Sequence, residues 1–104
     1  MDKKPSAVKE ATIERELVRR VEALGGVCEK VMCAGKRGFF DRLVILPADQ
    51  WGRGPRIIFA ELKRPKRGRI SPHQQSYHEQ YRTLGVDVVI IRNPADIDRL
   101  LAAP

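Results

Sequence analysis

A chain of 104 residues can bury one modest hydrophobic core but not two, so residues 1–104 read as a single domain. Twenty Lys and Arg against thirteen Asp and Glu leave a formal charge of +7, which favours a polyanionic partner such as nucleic acid. No apolar run approaches the length of a membrane span, and Met1-Asp2-Lys3-Lys4-Pro5 lacks the apolar stretch of a secretory signal. The expectation is an intracellular, cytoplasmic protein with no membrane partner.

Along the chain, Ala11 to Leu24 carries Ile13, Leu17, Val21 and Leu24 at helical spacing, and Gly25-Gly26 follows where a C-cap belongs. Its start is open between Ser6 and Thr12 as caps. Val27 to Met32 reads as a short strand. A glycine-bracketed basic loop, Gly35-Lys36-Arg37-Gly38, leads into a second strand, Phe39 to Leu46. Pro47 to Pro55 is a loop carrying Trp51, and Arg56 to Lys63 is a third strand. Arg64 to Ile70 is a second basic loop. Ser71-Pro72 opens a helix, with serine as N-cap and proline at the first helical position, and Leu84-Gly85 closes it. Val86 to Ile91 is the β-branched run of a buried strand, and Asn93-Pro94 starts a last helix that runs through Leu101. The order αβββαβα predicts an α/β domain with a central mixed sheet flanked by helices.

Cys28 and Cys33 have no second ligand pair, and His73 and His78, five residues apart, do not share a helical face. Zinc is therefore excluded, and the cysteines read as reduced, semi-buried thiols.

The third strand carries the informative anomaly. Alternation puts Ile57, Phe59, Glu61 and Lys63 on one face and Ile58, Ala60 and Leu62 on the other. The first face is apolar and then abruptly charged. Asp41 lies at the start of the second strand. If strands two and three form a hairpin around the Pro47 to Pro55 loop, Asp41 and Glu61 meet at one end of the sheet. Two carboxylates forced together are costly unless a cation sits between them, and hard oxygen ligands suit Mg²⁺ or Mn²⁺.

Taken together, "GFFDRLVILP", "FAELKRP" and "ISPHQQ" resemble the PD-(D/E)XK nuclease superfamily, and within it the virus-type replication-repair nuclease (VRR-NUC) branch. The branch pattern is a helix with an acid, then G-x-P-D-R, then E-L-K, then S-x-x-Q. The matching positions are Glu14, Gly38 with Asp41 and Arg42, Glu61 with Lys63, and Ser71 with Gln74. Phe40 stands where the family usually has proline, which puts the local loop geometry in doubt and leaves the acids in place. The resemblance implies a PD-(D/E)XK core and a divalent-metal-dependent DNA endonuclease acting on branched DNA, of Holliday-junction or flap type, in replication or repair. It implies that Asp41 and Glu61 bind the metal with the backbone carbonyl of Leu62, that Glu14 is a further candidate ligand, and that Lys63 orients the attacking water.

Each candidate also has a plainer reading. Glu14 alone would be a solvated helix residue, with Glu10 and Glu16 as competitors. Ser71-x-x-Gln74 is a capping box, in which Gln74 serves the Ser71 amide, whereas the resemblance implies a catalytic Gln74 that points at the active site. One side chain is not expected to do both, the choice stays open, and Gln75 is the fallback. Lys36, Arg37, Arg42, Arg64, Lys66, Arg67 and Arg69 are expected to meet the DNA backbone. Trp51 reads as a loop anchor or subunit contact. Paired cuts at a junction call for a homodimer, with Trp51 and the Phe39-Phe40 pair as apolar candidates for its interface. The alternative to an enzyme is a non-catalytic DNA-binding or phage structural protein on a nuclease-like fold; a phage gene would place the protein in a bacterial host.

Overall fold

The computed structural model describes residues 10–36, 38–48, 52, 54–63 and 69–102. Seven elements follow in the order anticipated: α1 (Glu10–Ala23), β1 (Val27–Lys30), β2 (Arg42–Leu46), β3 (Arg56–Leu62), α2 (Pro72–Thr83), β4 (Asp87–Ile91) and α3 (Pro94–Leu101). The four strands form one sheet in the order β1-β2-β3-β4. The first three are antiparallel neighbours, and β4 lies parallel to β3, so the sheet is mixed. A parallel neighbour needs a crossover, and α2 supplies it.

The two faces of the sheet are filled differently. Alternation sends Val44, Leu46, Ile58, Ala60 and Leu62 to one face, where they pack with Ile13, Leu17 and Val21 of α1 and Ile97 and Leu100 of α3. Burying each Val, Leu or Ile among them stabilises the fold by about 1.5–3 kcal/mol. Gly26 makes the turn from α1 into β1 feasible, because a Cβ there would lie 2.4 Å from the carbonyl oxygen of Ile45.

The opposite face lies under α2 and is aromatic. Phe40 stacks on Phe59 at 4.9 Å and on His78 at 5.0 Å. Phe39 meets Phe40, Phe59, Tyr77 and Tyr81 edge to face. This cluster corrects two expectations. The second strand begins at Arg42 rather than Phe39, because the two phenylalanines turn inward to pack under α2. Phe40 is consequently an internal, fully buried residue that offers no ring to a second copy, while Phe39 is half-buried. The other strand and helix ends differ from expectation by one or two residues, as fraying ends do. Trp51 lies outside the described residues. Among the described residues, no helix is long and apolar enough to cross a membrane.

Candidate active site

The β2–β3 hairpin sets the site. Arg42 faces Ala60 across the ladder, so the next pair outward is Asp41 and Glu61. The backbone ties Asp41 to β3 at two points. Its N–H donates to the carbonyl of Ala60 at 3.1 Å, and its Oδ2 accepts from the N–H of Leu62 at 2.8 Å. The Asp41 carboxylate is thereby fixed beside the end of β3 by a charge-assisted bond.

Glu61 is 1% exposed, on the face covered by α2. Burial, first, and then the proton sharing and negative charge of Asp41 push its carboxyl from 4.5 up to about 8, against the opposing pull of Lys63. The Lys63 ammonium, on the same strand face, stands 3.7 Å from Glu61 Oε2. The α2 side supplies two further neighbours. Gln74 Nε2 donates to Glu61 Oε2 at 2.7 Å, and His78 Nε2 lies 3.8 Å from Glu61 Oε1. Among the described residues, Glu61 Oε1 and His78 Nε2 are the buried side-chain polar atoms left without a hydrogen bond. Burial, helped by the charges of Arg82 and Lys63, lowers the His78 pKa and keeps the ring neutral.

Gln74 corrects the choice posed by the sequence between helix cap and site. It does both. Its Oε1 accepts from the Ser71 N–H at 3.0 Å, its own N–H donates to Ser71 Oγ at 3.1 Å, and its Nε2 reaches Glu61. An amide has an acceptor end and a donor end, so one side chain closes the capping box and binds the carboxylate. Gly38 lets the chain pass over this helix start. It has a φ of 72°, and a Cβ there would come 3.4 Å from Gln74 Cγ.

Glu14 and Arg42 are drawn to each other instead of to the carboxylate pair or to solvent. Arg42 Nε donates to Glu14 Oε2 at 2.6 Å and Nη1 donates to the Cys28 carbonyl at 3.0 Å, on the α1 side of the sheet. Arg42 is thus a bracket between α1, β1 and β2 rather than a free cation for phosphate. Glu10, at the start of α1, is the helix acid whose charge reaches Glu61. Lys36 lies over the Tyr77 ring at 5.3 Å and lines, with Asp41 and Gln74, an open groove of about 460 Å³. Arg69 is exposed. Arg37, Arg64, Lys66 and Arg67 lie outside the described residues. Burial pushes the Cys28 thiol up to about 11, so it is inert packing.

His78 is a site neighbour that the sequence pattern does not single out, because its spacing from His73 speaks only to zinc. The available signal was its position one helical turn after Gln74, which puts both on the same face of α2.

The donor set fits a hard cation. Asp41 and Glu61 present carboxylate oxygens at one place, one of the Glu61 oxygens has no hydrogen-bond partner, and the Glu61 pKa is raised first by burial and then by the neighbouring Asp41. Among the described residues, no three or more His, Cys, Asp or Glu side chains gather as a complete cage. Two carboxylates are the sparse protein set with which Mg²⁺ keeps its waters and a substrate phosphate.

No protein-family model matches the chain. Over 96 residues it is 34% identical to p44 of Acyrthosiphon pisum secondary endosymbiont phage 1, whose name describes a nuclease; the match covers 92% of this chain and 95% of p44. Among solved structures it is similar to a VRR_NUC domain, with a TM-score of 0.78 and 35% identity, covering 91% of this chain and 96% of that one.

Proposed function

From the premise that this chain belongs to the VRR-NUC family of nucleases, we propose that it is a divalent-metal-dependent DNA endonuclease that hydrolyses phosphodiester bonds in branched DNA. The observation that carries this reading is the buried Glu61 paired with the half-buried Asp41, with Lys63 beside them. Asp41 and Glu61 would hold Mg²⁺ or Mn²⁺, with the Leu62 carbonyl as a further ligand. The ion supplies a polarised phosphate and a more acidic water.

The chain's own residues do the remainder. Asp41 is held by the Leu62 N–H, and one oxygen of Glu61 by Gln74, so both carboxylates stand near their working positions before substrate arrives. Lys63 places an ammonium beside the phosphodiester, where its attraction grows as the phosphate gains charge in the transition state. Water attacks directly, with no covalent enzyme intermediate. Lys36 and Arg69, together with Arg37, Arg64, Lys66 and Arg67, neutralise phosphates and give no base-specific readout. Arg42 is not among these contacts, since Glu14 and the Cys28 carbonyl occupy it.

Preference for branched DNA and a homodimeric state belong to the same proposal. One small domain offers one cleavage centre, and resolving a junction takes two cuts related by symmetry. The test is incubation with four-way, flap and linear DNA, with Mg²⁺ or Mn²⁺ and then EDTA, beside light scattering at micromolar protein. Metal-dependent, EDTA-sensitive cleavage of the junction by a dimer is the expected result. Cleavage unaffected by EDTA would overturn the metal reading. A strict monomer that nicks flaps and leaves junctions whole would remove the pairing.

A further inference from the structure

The atoms Glu61 Oε1 and His78 Nε2 share three properties. Both are buried, both lack a hydrogen bond, and they face each other at 3.8 Å. That separation is too long for a direct hydrogen bond, which needs about 2.7–3.2 Å. It is also too short for a bridging water, since two successive bonds of that length span roughly 4.5–5.5 Å. Each side chain is held where it stands. The imidazole is clamped by its stack on Phe40, with the ring planes 11° apart, and Phe40 is clamped in turn by Phe59 and Tyr81. The other oxygen of Glu61 already belongs to Gln74, one helical turn before His78.

We infer that His78 is a positioning residue for Glu61: its Nε2–H closes on Oε1 when the carboxylate is engaged by a cation, so that α2 grips one oxygen with Gln74 and the other with His78. This rests on the metal-binding reading above. A neutral imidazole with its proton on Nε2 is the right partner, because a carboxylate that accepts from both sides cannot rotate away from the ion. The shift required is a few tenths of an ångström to about 1 Å, within the reach of one glutamate rotamer adjustment. Phe40 sets the plane of the ring, and so aims the donor.

The test uses the full chain without DNA and reads Mn²⁺ affinity by electron paramagnetic resonance. His78→Phe keeps a ring for Phe40 and removes the donor; His78→Gln places an N–H near the position of Nε2 and gives up the stack. The expected result is a 10–100-fold loss of Mn²⁺ affinity in His78→Phe, the range for removing an outer partner of a metal ligand, with most of it recovered in His78→Gln. The opposite order, with the phenylalanine variant binding normally and the glutamine variant failing, would make His78 packing only and overturn the inference. In the unmodified protein, histidine-selective ¹⁵N NMR with Mg²⁺ provides a readout that needs no variant. A proton on Nε2 that moves downfield and exchanges more slowly as Mg²⁺ is added supports the bond, and an unprotonated Nε2 in the Mg²⁺-loaded protein refutes it. Wild-type protein that binds no Mn²⁺ at all would overturn the metal reading itself, a failure distinct from that of His78.

Discussion

Replacing Glu61 with glutamine should stabilise the metal-free protein and abolish cleavage at the same time. The glutamate is buried beside Asp41, and its pKa is raised from 4.5 to about 8. An acid whose folded-state pKa lies above its unfolded value adds stability that is fully present below the unfolded pKa and is lost as pH rises towards the folded one. With 1.36 kcal/mol per unit, the stability lost relative to low pH is about 1 kcal/mol at pH 5, where only the unfolded chain ionises, and about 4 kcal/mol at pH 8. A glutamine keeps the shape, accepts from Gln74 through its oxygen and carries no charge. In EDTA the Glu61→Gln variant should therefore exceed wild type by about 4 kcal/mol at pH 8, a rise in Tm of roughly 15 °C or more for a domain of this size. At pH 5 most of that difference should vanish. Any contribution from His78 is common to both proteins and largely cancels in the comparison. Urea unfolding followed by circular dichroism at pH 5 and pH 8 measures it. Adding Mg²⁺ or Mn²⁺ at pH 8 should raise the wild type towards the variant and leave the variant unmoved. An advantage of equal size at both pH values, or a variant less stable at pH 8, would refute the argument that charge at Glu61 is what burial penalises.

Lys63→Ala should lower kcat and kcat/KM together while DNA affinity holds, because its work is on the transition state; a pure affinity loss would assign it to phosphate binding. Neutralising Lys36, Arg37, Lys66 and Arg67 together should weaken binding to all DNA sequences alike and flatten its salt dependence, and an unchanged slope would exclude those loops from the backbone contact. Arg42→Met should destabilise the fold by about 1–3 kcal/mol, since it leaves Glu14 and the Cys28 carbonyl without their donor, and it should leave the salt slope of DNA binding unchanged. A shallower slope in that variant would return Arg42 to the phosphate contacts.

The hairpin and its paired acids were legible in the sequence because two simple periods suffice to place them. Alternation along Arg56–Leu62 and antiparallel pairing with Arg42–Leu46 carry Asp41 to Glu61 with no knowledge of side-chain packing. The helix start was legible for a similar reason, since Ser71, Pro72 and Gln74 satisfy local backbone donors. What proved illegible depends on distances across the fold. Alternation turns Arg42, one residue beyond Asp41, to the opposite side, but nothing local shows that it closes there on Glu14. The two ends of the Gln74 amide serve different elements only once α2 is seated on β3.

The position of Phe40 carries the same lesson further. As a departure from the proline usual in the family, it concerns, by sequence alone, only the shape of one loop. In the fold its ring fills the space between β3 and α2 and lies flat against His78, whose nitrogen faces the unpartnered oxygen of Glu61. Proline at that place would remove the plate against which the imidazole rests, and a histidine at 78 would then have no fixed plane from which to aim a donor. Residues 40 and 78 are thus one device in two parts. The change that looked confined to backbone shape reaches the carboxylate through a stacked ring, which is why replacing either part alone should loosen Glu61 even though neither touches the scissile phosphate.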